Sequence, residues 1–168
     1  MEQYSGVCDP YETNLVEVKQ SLIPGAGEGL FVKQDVDQLK IVAFFAGVEV
    51  SGCHDSSSEY SISWLHGSVL DIPESLRDNY RCTLGHKVCH SFKPNCEYSW
   101  SFHPRFGRIR SIRSLRNLKK GEEILTDYKY NYSKAPEWYK NDLKQFLIST
   151  YDMSASDTDD YISKINCR

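Results

Sequence analysis

The apolar residues of this chain come in short groups, each the length of one strand, cut apart by glycine, proline, asparagine and aspartate. Leu15-Val16-Glu17-Val18-Lys19 alternates as a half-buried strand does, and Lys40 to Val50 is rich in β-branched and aromatic residues. Tyr60 to Trp64 and Ser68 to Ile72 flank His66-Gly67, while Glu97 to Phe102 and Arg108 to Ile112 flank His103-Pro104-Arg105-Phe106-Gly107; both patterns predict hairpins. Ile109, Ile112, Leu115 and Leu118 are spaced by three, which would also suit a helix, and periodicity leaves that segment open. One clear helix is predicted, and it comes late. Pro136 suits its first turn, Glu137 complements the helix dipole, and Tyr139, Leu143, Phe146 and Leu147 share a face. A weaker helix is predicted from Pro73 to Cys82. Many short strands with few helices define a β-rich α+β domain.

Seven Phe, eleven Tyr and three Trp in 168 residues are enough to build the core of one domain, and low-complexity disorder is excluded. No internal repeat is present and no linker precedes about Asp152. The expected organisation is an N-terminal extension over 1–14, a domain over 15–150 that includes the late helix, and an acidic, flexible tail over 151–168. No apolar run approaches the ~20 residues a bilayer crossing needs. Met1 to Asn14 is polar and acidic, so neither a membrane association nor an export signal is expected, and the location reads as intracellular.

A net charge of −3 argues against an obligate nucleic-acid binder. Arg105, Arg108, Arg110, Arg113, Arg116, Lys119 and Lys120 nevertheless form a run with no acid among them; it reads as a solvated strand face whose arginine stems cover apolar neighbours. The six cysteines, Cys8, Cys53, Cys82, Cys89, Cys96 and Cys167, read as mostly free thiols. Cys82, His86, Cys89, His90 and Cys96 fall in one stretch, but no C-x-x-C knuckle occurs, and they are read as loop and core residues with no metal expected.

Three stretches carry the candidate chemistry. Leu22-Ile23-Pro24-Gly25-Ala26-Gly27-Glu28-Gly29-Leu30-Phe31 sets glycines at alternate positions, so that a ligand can approach the backbone; no Gly-Lys-Ser/Thr follows and the next residues look like a strand, so a phosphate loop is excluded. Taken alone it is a glycine turn between two strands. Leu84 to Cys96 is a structured loop whose backbone groups must find partners. Gly121 to Tyr132 ends with Tyr128, Tyr130 and Tyr132, which a strand would place on one side.

In order and spacing these stretches resemble the SET-domain protein lysine methyltransferases. The likeness covers roughly Val16 to Phe146 and is close to a branch of histone lysine monomethyltransferases whose vertebrate form carries MORN repeats ahead of the catalytic domain. The matching strings are Ala26-Gly27-Glu28-Gly29-Leu30-Phe31, Leu84-Gly85-His86-Lys87, His90-Ser91-Phe92 with Pro94-Asn95-Cys96, His103-Pro104-Arg105-Phe106-Gly107, and Ala135-Pro136-Glu137-Trp138-Tyr139. The resemblance implies small β-sheets with a pseudoknot, where His90 to Asn95 passes beside Leu125 to Tyr130, and a C-terminal helix. It implies S-adenosylmethionine as cofactor, S-adenosylhomocysteine as its product, and a lysine-bearing protein such as a histone tail as partner.

By residue, the resemblance puts Ala26, Gly27 and Glu28 at the methionine end of the cofactor, Lys87, Cys89 and His90 along it, and Trp138 against the adenine. Asp142, where the branch has Glu, is another cofactor-side position. Tyr128 matches the tyrosine beside the methyl-transfer point, and Tyr98 and Tyr130 match walls of the lysine channel. The peptide would lie along Ser61, Ser63 and Trp64 with Arg110 nearby, and Asp55, Glu59 and Asp71 are acids that would favour a basic tail. The chemistry fits these walls. Methyl transfer needs a neutral amine, and lysine, with a free pKa near ~10.4, loses its proton more easily in an apolar channel beside a cationic sulfur.

Two further positions depart from the family pattern. Cys89 replaces an asparagine whose amide serves the cofactor, and a thiol is a weak donor and acceptor. Phe45, in Phe44-Phe45-Ala46-Gly47, replaces a channel tyrosine; the lost hydroxyl frees space around the amine and predicts a product beyond monomethyl-lysine. The resulting reading is a S-adenosylmethionine-dependent protein lysine methyltransferase, monomeric, nuclear or cytoplasmic, with no nucleic acid bound. The competing reading is a catalytically silent SET-like module that binds a partner protein, with Cys89 as its mark.

Overall fold

The structure, a computed structural model, describes residues 8–50, 60–63, 68–72, 74–76 and 80–166. The chain divides after Thr126 into two compact units. In the first, order begins at Asp9, whose Oδ1 accepts from the backbone N–H of Tyr11 (3.0 Å) and Glu12 (3.1 Å) and so caps helix α1 (Pro10–Leu15), with Pro10 in its first turn. Asp9 Oδ2 takes His103 Nε2 at 2.8 Å, and His103 Nδ1 accepts from Arg105 N at 3.1 Å. Glu12 is fully buried and accepts from the backbone N–H groups of Phe44 and, at 2.8 Å, Leu84. Burial pushes its pKa up to about 8, against the pull of those two N–H groups. Residues read as an extension therefore enter the core.

Next comes β1 (Val16–Gln20), one residue later than the alternation begins because Leu15 closes α1, and it pairs antiparallel with β2 (Glu28–Val32), Val16 opposite Val32 and Gln20 opposite Glu28. There follow β3 (Ile41–Phe45), β4 (Val48–Val50), β5 (Ile62–Ser63), β6 (Val69–Asp71), β7 (Cys89–His90), β8 (Cys96–His103), β9 (Gly107–Ser114) and β10 (Leu125–Thr126). They form a three-stranded sheet β3-β9-β8, a second β4-β6-β5, and the parallel pair β7 with β10. Leu15, Val16, Leu30, Val32, Val42, Ala43, Leu84, Val88, Ile112, Leu118 and Ile124 fill the main core.

Both expected hairpins are present. β8 and β9 pair antiparallel from Cys96 opposite Ser114 to His103 opposite Gly107, and Gly107 takes the left-handed φ of 69° that the three-residue loop requires. β5 and β6 pair with Ser63 opposite Val69; Trp64, His66 and Gly67 lie outside the described residues. The segment left open between helix and strand is strand through Ser114. β9 is central, with both its edges paired; Ser111 and Ile112, on opposite faces, are both buried, and the register shifts between Ile41 and Ala43 opposite it. Of the segment expected to be helical from Pro73 to Cys82, the described residues show one 3-10 turn at Glu74–Leu76 and non-helical chain at Tyr80 and Cys82, which are buried together with Ile72; residues 73 and 77–79 lie outside the described residues.

In the second unit α2 (Glu137–Tyr151) follows Pro136, which caps rather than opens it, and buries Tyr139 and Leu147 before stopping at Asp152 with φ 52°. In place of the loose tail expected there, α3 (Ala155–Asn166) starts where Ser154 Oγ accepts from Asp157 N at 3.1 Å; Thr158 and Ile162 are buried and Lys144 pairs with Asp159 at 2.9 Å. A strand carrying Tyr128, Tyr130 and Tyr132 on one side is not formed. β10 ends at Thr126, Lys129 takes a φ of 51°, and Tyr132–Lys134 is a 3-10 turn. No helix among the described residues is long and apolar enough to cross a membrane.

Candidate functional site

The glycine-rich turn between β1 and β2 is folded back on itself. Gly27 O accepts from Ser21 N (2.8 Å) and from Gln20 Nε2 (2.8 Å), and Ala26 N donates to Ile23 O (3.1 Å). Gly27 has φ 73°, and a Cβ there would meet nothing within 4 Å, so glycine is required by the backbone and not by crowding. Ala26, Gly27 and Glu28 are exposed, with open space before Gly27.

A buried glutamate fixes this turn. Glu123, 6% exposed, accepts from Ser21 Oγ at 2.6 Å through Oε1 and from Leu22 N at 2.9 Å through Oε2, and Ser21 Oγ in turn accepts from Ile23 N at 3.0 Å. A Cβ on Gly29 would stand 2.3 Å from Glu123 Oε1, so the third glycine exists to admit that carboxylate. Through its backbone Glu123 also reaches the crossing of strands: Asn95 Nδ2 donates to Glu123 O (2.8 Å), Asn95 Oδ1 accepts from Leu125 N (2.8 Å), Asn95 N donates to Leu125 O (3.2 Å), and Ser91 N donates to Thr126 O (2.9 Å). These bonds lay His90 to Asn95 alongside Leu125 and Thr126. Sequence reasoning missed Glu123 and Ser21 because two acids in succession after a glycine read as an exposed turn.

Against this turn stand Lys87 and Cys89, with His90 the next residue of β7. Lys87 Nζ bonds Glu28 Oε2 at 2.7 Å, and this bond holds the Glu28 carboxyl below the usual carboxylate range. Cys89 is buried and its thiol donates to Glu28 O at 3.5 Å. Burial pushes the Cys89 thiol pKa up, with Glu123 acting in the same direction and the Ser21 hydroxyl against it. His90 is buried, its ring edge-on to Phe92 at 4.4 Å. The structure therefore gathers Ala26, Gly27, Glu28, Lys87 and Cys89, with His90 next in the strand.

Phe45, Tyr98 and Arg110 lie on the three-stranded sheet. Phe45 is opposite Arg110 and Arg110 opposite Trp100, forming one row across β3, β9 and β8, while Tyr98, one row on, is opposite Ile112. Phe45 is 4% exposed and Tyr98 packs on the main core. The Arg110 guanidinium lies 4.1 Å from the centre of the Trp100 ring. Ser61 precedes β5 and Ser63 lies within it; Trp64, Asp55 and Glu59 are outside the described residues.

The remaining expected residues belong to the second unit. Tyr128 stands edge-on to Tyr130 (5.5 Å) and Trp138 (6.3 Å), and Tyr130 to Trp138 (6.1 Å) and Tyr139 (5.2 Å). This is an aromatic cluster built by the turn at Lys129 and the first turn of α2 instead of by strand alternation. Burial and then Asp127 push the Tyr139 pKa up to about 12. Asp142 is exposed, one helical turn beyond Trp138.

Among the described residues no three His, Cys, Asp or Glu side chains are gathered as a metal ion requires. His86 instead packs edge-on to Tyr80 at 5.3 Å, and burial pushes its pKa down to about 3.

Small sheets around a parallel β7–β10 crossing, with a glycine turn pinned beside it, define a SET domain. Residues 26–129 match that family, and the chain belongs to it. The chain is 44% identical over 157 residues to histone-lysine N-methyltransferase SETD7 of Halocynthia roretzi, covering 84% of this chain and 41% of that protein. It thus spans about two fifths of that relative's length. Among solved structures, polycomb repressive complex 2 of Chaetomium thermophilum is similar at 19% identity and a TM-score of 0.55, over 69% of this chain and 15% of that one. A polycomb repressive complex 2 in an autoinhibited conformation bound to S-adenosylmethionine is similar at 17% identity and 0.55, over 79% and 17%. At such identities the likeness establishes the fold.

Proposed function

We propose that this chain transfers methyl groups from S-adenosylmethionine to the side-chain amine of lysine in a protein, with a histone tail as the first substrate to test. The observation that carries the reading is the exposed turn Ala26-Gly27-Glu28, pinned by Glu123 and flanked by the Lys87–Glu28 pair, at 2.7 Å, and by Cys89. That arrangement fits an amino-acid zwitterion: Lys87 offers a cation to a carboxylate, Glu28 an anion to an ammonium, and Gly27 leaves the backbone uncovered. The family membership and the name of the Halocynthia roretzi relative point the same way.

S-adenosylmethionine, when bound, supplies a methyl group activated by a cationic sulfur. Phe45 and Tyr98 then serve as channel walls: Phe45, 4% exposed, is an apolar surface that disfavours an ammonium and thereby favours the neutral amine. Tyr130 is assigned to the channel wall beside them, Tyr128 to orienting that amine, Trp138 to the adenine and Asp142 to the cofactor side. Ser61, Ser63, Trp64 and Arg110 are assigned to the peptide. A nuclear or cytoplasmic monomer that binds no nucleic acid completes the reading.

One observation favours the second reading, a silent interaction module. The Cys89 thiol is spent on the Glu28 carbonyl and offers little to a ligand. Loss of a hydrogen bond to a charged group costs about 1.5–3 kcal/mol, tenfold or more in affinity. Titration calorimetry with S-adenosylmethionine on the native protein and a Cys89→Asn variant separates the two. Saturable binding by the native protein supports the enzyme; binding by the variant alone supports the module; binding by neither overturns the cofactor assignment.

A further inference from the structure

The basic run that the net charge left unexplained is divided by the structure. Arg113 pairs with Glu97 (2.6 Å), Arg116 with Glu122 (2.8 Å) and Lys119 with Asp35 (2.7 Å). Arg108, exposed near the tip of the β8–β9 hairpin, has no carboxylate partner among the described residues; its guanidinium lies 4.7 Å from the centre of the Trp100 ring, and Arg110 lies 4.1 Å from the same ring. Phe102, opposite Arg108, is 80% exposed.

These residues continue one face. Side chains two apart on a strand share a face, so Tyr98, Trp100 and Phe102 on β8 line up with Ile112, Arg110 and Arg108 on β9. The face passes from core at Tyr98 and Ile112, through Phe45, Arg110 and Trp100, to solvent at Arg108 and Phe102. At ~3.4 Å per residue, Tyr98 to Phe102 spans ~14 Å, the reach of about four residues of extended peptide.

We infer that Trp100, Arg108 and Phe102 form a docking platform for an acidic segment of the protein substrate, two to four residues from its target lysine. The inference rests on the lysine methyltransferase reading for the identity of the bound chain. A guanidinium lying against an indole keeps its N–H edge for two parallel bonds to a carboxylate, and the exposed Phe102 ring gives the neighbouring side chain an apolar seat. Charge complementarity selects an acid, and burial together with Arg108 already lowers the pKa of Arg110, so a further cation from a wholly basic peptide is disfavoured there. Against nucleic acid stand the chain's net charge of −3 and the Trp100 ring, which carries guanidinium groups where a base would stack.

The test uses two fluorescent lysine peptides that differ only in aspartate or serine at the positions two to four residues from the lysine, with native protein and an Arg108→Glu variant. Arg108 is exposed, so the variant folds, and equal S-adenosylmethionine binding by both proteins checks it. Native protein is expected to bind the aspartate peptide about tenfold more tightly, less so at high salt, and the variant to lose or invert that preference. Equal binding of the two peptides, or a preference that survives Arg108→Glu, overturns the platform. An oligonucleotide of equal charge that displaces the peptide at lower concentration overturns the occupant in favour of nucleic acid. In methyl transfer, kcat/KM is expected to follow the same preference; a preference seen in binding but not in kcat/KM overturns the placement along the lysine's own peptide. A protein that binds no S-adenosylmethionine yet keeps the aspartate preference retains the platform and loses the enzymatic reading.

Discussion

Glu123 is the side chain whose removal should show how the glycine turn is held. Replacing it with alanine leaves the buried Ser21 hydroxyl, 8% exposed, and the Leu22 N–H without the acceptors that stood at 2.6 and 2.9 Å. Leu22 is exposed, so water recovers part of its bond, and the cost is dominated by Ser21. Each orphaned group costs about 1–3 kcal/mol, and about 3 kcal/mol is expected in all. At ~2–4 °C per kcal/mol for a domain of this size, Tm should fall by about 6–12 °C. Glu123→Gln keeps an oxygen for Leu22 but turns an amide toward Ser21 Oγ, which already accepts from Ile23 N at 3.0 Å, so about 1 kcal/mol is expected. Urea unfolding of Glu123→Ala, Ser21→Ala and the double variant gives the coupling, expected at about 1 kcal/mol or more. Gly29→Ala is the steric control: its Cβ meets the Glu123 carboxylate and, less closely, the Ser21 Cβ at 3.2 Å, so it should destabilise the native protein and cost less in the Glu123→Ala background. A coupling within about 0.5 kcal/mol of zero, or a Gly29→Ala cost unchanged by Glu123→Ala, would refute the clamp.

Two further outcomes follow from the buried acid, the buried imidazole and the missing hydroxyl. Between its ordinary value of 4.5 and about 8, Glu12 holds a proton in the folded protein that the unfolded chain releases, so stability falls as pH rises through that window; between 6.5 and about 3, His86 refuses a proton that the unfolded chain accepts, so stability falls as pH drops. With each limb limited to ~1.4 kcal/mol per pH unit, urea midpoints should show a plateau between pH 4.5 and 6.5, where the two slopes oppose, with Glu12→Gln flattening the alkaline limb and His86→Phe the acid one. For the missing hydroxyl, mass spectra at exhaustive turnover should show products beyond monomethyl-lysine from the native protein and mainly monomethyl-lysine from Phe45→Tyr. Monomethyl product from both would sink the space argument.

How legible the molecule was depended on whether a signal was local. Alternation located β1 to within a residue and the β8–β9 hairpin with its glycine, because strand period and turn chemistry are written in neighbouring residues. Period failed where tertiary pairing overrides it, as at β9, paired on both edges with Ser111 and Ile112 both buried, and at Tyr128 to Tyr132, where Lys129 turns the chain. Among the described residues of the segment from Pro73 to Cys82 there is one 3-10 turn in place of a helix, and Tyr80 and Cys82 are apolar at a spacing that extended chain also satisfies. Nothing local says that Glu12 bonds Leu84 or that Glu123 bonds Ser21, partners separated by 72 and 102 positions. The strings assigned to the cofactor came from resemblance; the buried acids that hold the turn and the core did not, since a glutamate reads as surface wherever its partner is distant.

This separation of duties explains how Cys89 can occupy its position in an intact fold. The strand crossing is held by Asn95 and the turn by Glu123 and Ser21, and every acceptor and donor named there is satisfied without the side chain at position 89. Beside its electrostatic interactions with Ser21 and Glu123, the Cys89 thiol makes a weak bond, 3.5 Å to the Glu28 carbonyl, which an asparagine Nδ2 would make more strongly. Changes at position 123 should therefore move stability and cofactor affinity together, because the clamp shapes the turn that carries Ala26, Gly27 and Glu28. Changes at position 89 should move affinity and leave the unfolding midpoint nearly where it was. A chain can thus keep the whole SET scaffold while its cofactor capture weakens, and comparing the two positions by unfolding and by S-adenosylmethionine titration separates the residues that build the site from the residue that sets its strength.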